Sequence, residues 1–253
     1  MTLISLLCAS SLLAGFIDAV VGGGGLIQVP ALLILLPGVP VATILGTNKF
    51  ASCAGTTIAV QRYARHVAID WFTIAPAAMA AFIFAFLGSC TVTLLNTAFL
   101  RPIVLALLIV VAIYVFLVKE LGLIHQPKHA PKKAQWLGLL IGAALGFYDG
   151  FFGPGTGSFL IFLFVGVFGF DFLAASASAK VINWATNIAS VIYFGWSGNI
   201  IYHFAVPMAV CSVAGAAIGT RLAIAKGSRF VRIFFLVIVC ALIAKLAQSI
   251  FAP

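Results

Sequence analysis

Long apolar runs, interrupted by glycine, proline or a short basic cluster, occupy almost the whole chain. Read by length and punctuation, they fall at about 2–21, 26–36, 40–61, 69–95 and 99–118, then at about 134–152, 157–168, 172–194, 200–222 and 230–250. Most have the roughly 20 residues that a helix needs to cross a bilayer. The segments at 26–36 and 157–168 have about a dozen, too few to span, and each follows a run of glycines. They are expected to be half-helices or arms of re-entrant hairpins. The predicted fold is an all-α polytopic membrane protein of about eight to ten transmembrane helices with glycine-broken short helices.

A shift of 131 residues lays one half of the chain on the other without a gap. Gly15 and Phe16 fall on Gly146 and Phe147, Asp18 on Asp149, Gly22 and Gly24 on Gly153 and Gly155, and Lys49 on Lys180. Pro76 meets Pro207, Gly88 meets Gly219 and Arg101 meets Arg232. Chance does not align the rare charged, glycine and proline positions of two apolar halves in one register. The expected organisation is a first repeat at 1–118, a cytoplasmic linker at 119–133 and a second repeat at 134–253, together forming one integral membrane domain.

Composition agrees: 64% of the 253 residues are hydrophobic and 8% charged, with a mean hydropathy of +1.23, whereas a soluble domain carries about 25% charged residues. A soluble enzyme on a membrane anchor is excluded, because no polar stretch is long enough to build a separate domain. The net charge of +9 comes mostly from three clusters between apolar segments, a pattern that orients a membrane chain rather than binding nucleic acid. Arg62, Arg65 and His66, then Lys119, Lys128, Lys132 and Lys133, then Arg221, Lys226 and Arg229 are expected on the cytoplasmic side. The Arg62 loop aligns with the neutral turn at 195–198, so the halves are expected to be inverted, with both termini outside. Cys8, Cys53, Cys90, Cys211 and Cys240 have no CxxC or Cys/His ligand spacing and read as small core residues. The first twenty residues lack a basic n-region and have a mid-chain repeat mate, so they are read as part of the mature fold.

Two glycine runs carry the chemistry: Gly22, Gly23, Gly24 and Gly25, and Gly153, Gly155 and Gly157 with Thr156 among them. Such a run inside an apolar segment breaks the helix and frees backbone N–H groups, which at bilayer depth must face protein, water or a ligand. Where the short helix restarts, its amides and positive dipole end form an anion seat. Gly138, Gly142, Gly146 and Gly150, at i+4 spacing, suit close helix packing instead. Neither run is a nucleotide loop, since there is no full GxGxxG and no Lys-Ser/Thr follows.

A polar face on the third segment of each half is the second signal. Lys180, Asn183 and Asn187 share a helix face at i, i+3 and i+7; Lys49, Ser52 and Thr56 are their mates, with Asn48 alongside and Ser176 and Ser178 preceding Lys180. A lysine at mid-membrane costs roughly 2.5–3.5 kcal/mol, so two at matched positions require a partner or an aqueous cavity. Two readings stand open. Asp18 and Asp149 pair with the lysines structurally, or the lysines face an anion and an aspartate carries a proton. Gln28 and Thr156, at the breaks, are as readily satisfied by their own helices as by a ligand. No histidine has metal-ligand spacing, no nucleophile stands with a base, and neither an enzyme nor a bound cofactor or metal is indicated. Trp71, Trp136 and Trp196 suit interfacial anchors, Trp184 a cavity wall, and Asp171 an N-cap. The GxxxG of Gly215 and Gly219 suits a helix contact, within the chain or in a homo-oligomer.

Several stretches together resemble the sulfite exporter TauE/SafE family. They are the paired glycine breaks with an acid four residues upstream, Pro30-Ala31-Leu32-Leu33, Leu45-Gly46-Thr47-Asn48-Lys49, and the Tyr148-Asp149-Gly150-Phe151-Phe152-Gly153-Pro154-Gly155-Thr156-Gly157-Ser158 run. The resemblance covers nearly the whole chain and implies movement of small oxyanions, such as sulfite, thiosulfate or organosulfonates, across a bacterial inner membrane. With the glycine and polar positions it gives one expectation: a secondary transporter in the lipid bilayer, exporting a small anion bound at the midplane between the repeats. Rocking of one repeat against the other would alternate access, with proton coupling through Asp18 or Asp149. An anion channel is the alternative, because glycine breaks and buried lysines also suit a donor-lined pore.

Overall fold

The computed structural model describes residues 2–95, 126 and 128–251, with side chains described up to 231 and at 233 and 234. Helix α1 (Thr2–Val21) stops at Gly22, and α2 (Gly25–Leu35) restarts after three residues. Helices α3 (Val41–His66) and α4 (Trp71–Leu94) complete the described part of the first half. In the second half α5 (Pro131–Phe151), which opens on a proline at its first turn, is followed by α6 (Thr156–Leu163). This short helix widens into a π turn at Phe164–Phe168 that Gly169 ends. Asp171 caps α7 (Phe172–Trp196), its carboxylate accepting from the Leu173 and Ala174 amides, as the sequence predicts. Helix α8 (Tyr202–Phe251) is broken at Gly227, where the backbone leaves the helical region. The segment predicted at 99–118, with Arg101 and Lys119, lies outside the described residues.

The protein is an all-α membrane protein. Thr2–Val21, Trp71–Leu94 and Tyr202–Val231 are long and apolar enough to cross a bilayer by themselves. Helices α3 and α7, of 26 and 25 residues, are as long but carry the polar positions, and their neighbours clothe them in apolar side chains. The bounds of α1 to α4, moved by 131, become 133–152, 156–166, 172–197 and 202–225. These fall within a few residues of α5, α6 with its π turn, α7, and α8 up to its break.

Small residues decide the packing. The stripe on α5 lies against α4: a Cβ built on Gly146 would stand 2.6 Å from Ala81 Cα, and one on Gly138 would stand 3.2 Å from the Thr73 carbonyl. Gly142 and Gly150 press on Ala77 and Ala85 in the same way. The repeat-related pair, α1 and α8, does likewise, with Gly219 against the Phe16 carbonyl at 2.6 Å and Gly215 against the Leu12 carbonyl. The GxxxG contact is thus made within the chain. Each tight pair joins the first helix of one half to the fourth helix of the other. Cys8, Cys53, Cys90 and Cys211 are free thiols of intermediate exposure rather than the fully buried core residues expected.

The basic clusters gather at one end. Arg62 Nη1 donates to the Ala217 carbonyl at 2.6 Å, joining the end of α3 to α8 near its break. Ser228 Oγ donates to Asp171 at 2.6 Å, and the Gln126 and Lys128 amides donate to Gly169 and Phe168. The start of α7 and the residues just before α5 therefore join the same end. At the other end, Thr43 Oγ1 donates to Asn199 and the Ile201 amide donates to Thr47 Oγ1. The end of α3 and the start of α7 meet at the basic end, and the start of α3 meets the loop after α7 at the neutral one.

Candidate functional site

The two glycine breaks touch each other. A Cβ added to Gly22 would run into the Gly157 backbone, and one on Gly25 would lie 3.1 Å from Pro154 Cα. Gly22, with a φ of 71°, could not hold a side chain there even if space allowed. The last carbonyls of α1, orphaned where the helix stops, are met from elsewhere in the chain. Tyr63 Oη donates to Ala19 O at 2.8 Å, Ser176 Oγ to Val20 O at 2.9 Å and Ser158 Oγ to Val21 O at 3.2 Å. At the second break Tyr148 Oη donates to Pro154 O at 2.8 Å, and Ser89 Oγ donates to Gly150 O at 3.2 Å.

A polar cavity of about 30 Å³ lies between the breaks, room for about two waters. Of the residues singled out by sequence, Gly23, Gly25, Gly153, Gly155, Gly157, Asn48, Lys49, Asn183, Asn187, Asp18 and Asp149 line it. The remainder sit just outside. Gly24 faces a second cavity, of about 10 Å³, which shares Asp18 and Ser52 with the first and is also lined by Gln28 and Thr56. Gly22 is spent on the contact between breaks, and Thr156 Oγ1 donates to Gly153 O at 2.8 Å. Lys180, 0% exposed, stands behind Asp18. Trp184, expected as a cavity wall, is partly exposed with its indole N–H on Thr57 Oγ1, although it stands one turn from Lys180 on α7.

The lysines and aspartates pair across the halves. Lys49 Nζ lies 2.6 Å from Asp149 Oδ2, and Lys180 Nζ lies 3.0 Å from Asp18 Oδ2. The side chains of the first pair are 3% and 5% exposed; in the second, Asp18 is 20% exposed. The ion-pair reading left open by the sequence is the arrangement found, and Lys49 and Asp149 also face the cavity. The site is neutral in its side chains, with its remaining positive character on the backbone amides at the starts of α2 and α6. Asn187 Nδ2 donates to Thr56 Oγ1 at 3.3 Å, whereas the Asn48 and Asn183 side-chain oxygens are buried without a hydrogen-bond partner.

Sequence reasoning undervalued Ser52 and Gln28 and passed over Ser11. Gln28 Nε2 donates to Ser11 Oγ at 3.0 Å, Ser11 Oγ donates to Met208 O at 2.6 Å, and Ser52 Oγ reaches Gln28 Oε1 at 3.4 Å. This chain leads away from Asp18 between α1, α2, α3 and α8. The repeat mate of Ser52 is Asn183, a signal that was visible; Ser11 and Tyr63 have distant partners that no local pattern announces.

Apolar helices around a polar centre at two touching backbone breaks define a multi-pass membrane transporter. The chain belongs to the sulfite exporter TauE/SafE family, whose sequence profile matches residues 7–246. It is 34% identical over 244 residues to a probable membrane transporter protein, ORF9, of Sinorhizobium sp., covering 96% of this chain and 92% of that one. It is 34% identical over 255 residues to a probable membrane transporter protein of Haemophilus influenzae, covering 98% and 95%. With the probable membrane transporter protein YfcA of Escherichia coli K12 it shares 32% over 244 residues, covering 96% and 89%. No solved structure matches the chain.

Proposed function

We propose that this membrane transporter exports a small sulfur oxyanion or organosulfonate across the bacterial inner membrane by alternating access, binding it in the cavity between the two glycine breaks. The observation that carries this is the meeting of two helix starts, each behind a glycine break, at one cavity lined by Asn48, Asn183 and Asn187. The positive-inside rule makes the basic end cytoplasmic and both termini external. The antiparallel placing of α3 and α7 supports inverted repeats, since these helices are repeat mates.

The moving bodies in this proposal are not the sequence halves. Tight glycine contacts hold α1 and α3 to α8 and hold α4 to α5; the scheme takes α1, α2, α3 and α8 as one body and α4, α5, α6 and α7 as the other, with Gly46 against Phe194 and Gly22 against Gly157 at the seam. Both ion pairs bridge these bodies. They close the site between the bodies, and widening it for an anion of the size of sulfite must stretch or re-aim them. Asp18, the more exposed acid, is the proton carrier in this scheme. The test is the full chain in proteoliposomes, challenged with labelled sulfite, thiosulfate and a sulfonate. Saturable flux with counterflow is expected, accelerated by a proton gradient in wild type but not in Asp18→Asn. A large unitary conductance would instead make the protein a channel, and no anion flux would overturn the proposal.

A further inference from the structure

We infer that the second cavity, beside Gln28, is a sodium site that fills together with the anion site next to it. The coupling between the two ions rests on the anion-transport reading above, whereas the cation site stands without it. The cavity, of about 10 Å³, has room for about one water-sized sphere. Its polar lining is Asp18, Gln28, Ser52, Thr56 and Ser212, and glycine and alanine make up the rest. A carboxylate, an amide oxygen and three hydroxyls are the hard ligands that suit a cation of the sodium, magnesium or calcium kind. The amide presents its oxygen because the surrounding bonds hold it one way round. Gln28 Nε2 donates to Ser11 Oγ, whose own proton goes to Met208 O, and Oε1 is left towards Ser52. Gln28 Oε1 and Ser52 Oγ stand 3.4 Å apart, long for an O–H···O bond. Sodium nearly shares the radius of calcium, so its oxygens stand at about 2.4 Å and two at right angles stand about 3.4 Å apart. The larger potassium ion holds its ligands further off and would need a wider spacing.

Charge decides the valence and links the two cavities. Lys180 reaches Asp18 Oδ2 at 3.0 Å but lines neither cavity, while Asp18 lines both. The ammonium therefore stands behind the carboxylate, which has lone pairs left for an ion in front of it. Because the pair is already neutral, a cation in the second cavity adds a whole unbalanced charge, and a divalent ion would add two. The neighbouring cavity shares Asp18 and Ser52 with this one, so an anion there supplies the balancing charge. Each ion then tightens the binding of the other by the same factor. The repeat mates of Gln28 and Ser212 are Phe159 and Ala81, which have no side-chain oxygen, so the oxygen set is complete only on the Asp18 arm.

The test compares sodium, potassium and choline chloride at equal ionic strength, with the full chain purified in detergent. Its melting temperature would be followed in each salt, and its dissociation constant for methanesulfonate measured by calorimetry in the same three. Sodium alone is expected to raise the melt, saturably, as a ligand of the folded state does. Methanesulfonate is expected to bind at least about fivefold more tightly in sodium than in choline. Gln28→Leu and Ser52→Ala are each expected to remove both differences; the wild-type comparison stands as a test even where a variant does not fold. Equal melts in the three salts would overturn the inference, the cavity then holding water only, and methanesulfonate binding by the same sample would leave the anion site intact. Sodium-selective stabilisation with equal methanesulfonate affinity in all salts would overturn the coupling and keep the cation site. Sodium-selective stabilisation with no methanesulfonate binding in any salt would support the cation site and count against the anion reading.

Discussion

The two ion pairs are repeat mates placed in unlike surroundings. Lys49–Asp149 is the more enclosed: both side chains are almost fully buried although both reach the polar cavity, and Tyr148, Phe152 and Phe159 pack edge to face next to the pair. Around Lys180–Asp18 the positions equivalent to that wall hold Ile17, Val21 and Gln28, so aliphatic side chains and one amide stand where the second half has three aromatic rings. Asp18 consequently opens on two small cavities and on the Gln28 and Ser11 chain. A duplicated site has kept its charges on both arms and both reach the polar cavity, while only the Asp18 arm also opens on the second cavity beside Gln28. In the proposed scheme the sealed arm serves as a structural tie and the open arm as the one that exchanges protons with water.

The largest expected effect comes from breaking the sealed tie. Lys49→Met strands a carboxylate, and Asp149→Leu strands an ammonium, in surroundings where an unpaired charge costs about 3–5 kcal/mol. Each is expected to lose that much stability in detergent, by equal amounts, measured by denaturant or thermal melting. The double variant should recover most of the loss, because a well-packed apolar pair of similar volume is no worse than a buried ion pair. A double variant as unstable as the singles would show that the arm is wetter than its burial suggests.

In the open arm the two single substitutions should differ. Asp18→Asn leaves Lys180, 0% exposed, without its carboxylate, and should approach the loss seen in the sealed arm. Lys180→Met leaves an aspartate that is 20% exposed and faces polar cavities, so about 1–3 kcal/mol is expected. Equal losses from these two variants, measured side by side, would erase the distinction between the arms.

The same contrast explains what could be read from sequence. Helix positions were legible because bilayer length, glycine and proline punctuate the chain strongly; α1 and α7 end within a few residues of their expected bounds. The polar face of Lys180, Asn183 and Asn187 was legible because few polar residues lie in its apolar surroundings. The pairing of two lysines with two aspartates stood as one of two readings, but which lysine takes which acid did not show. Lys49 finds its acid 100 residues away and Lys180 finds its own 162 away, and a register between repeats says which residues are equivalent, not which ones touch. The placing of Trp184 failed for a related reason, since its position within a span says nothing about which face meets lipid. Nor did the repeat disclose that α1 packs on α8 and α4 on α5, since this exchange depends on glycine meeting alanine across halves.

Exchanging the residues at the mated positions 28 and 159 probes the comparison with the smallest perturbation. Phe159→Gln brings an amide into the aromatic wall of Tyr148 and Phe152, where an unpaired polar group costs about 1–3 kcal/mol. Gln28→Leu removes a donor to Ser11 and an acceptor for Ser52, but Ser11 keeps its bond to Met208 O and the Ser52 contact is long at 3.4 Å. About 1 kcal/mol of stability is therefore expected to go, less than for Phe159→Gln, in parallel melts. Deuterium exchange of the ammonium protons that the two lysines donate to their acids, followed by nitrogen NMR of lysine-labelled protein in lipid, supplies the sharper reading. If the Gln28 chain leads water to the Lys180–Asp18 pair, Gln28→Leu slows exchange at Lys180 although Gln28 makes no hydrogen bond to the carboxylate, and Phe159→Gln speeds exchange at Lys49. Unchanged exchange in both variants would mean that water reaches the acids through the glycine breaks themselves, and the difference between the arms would then reside in their stability alone.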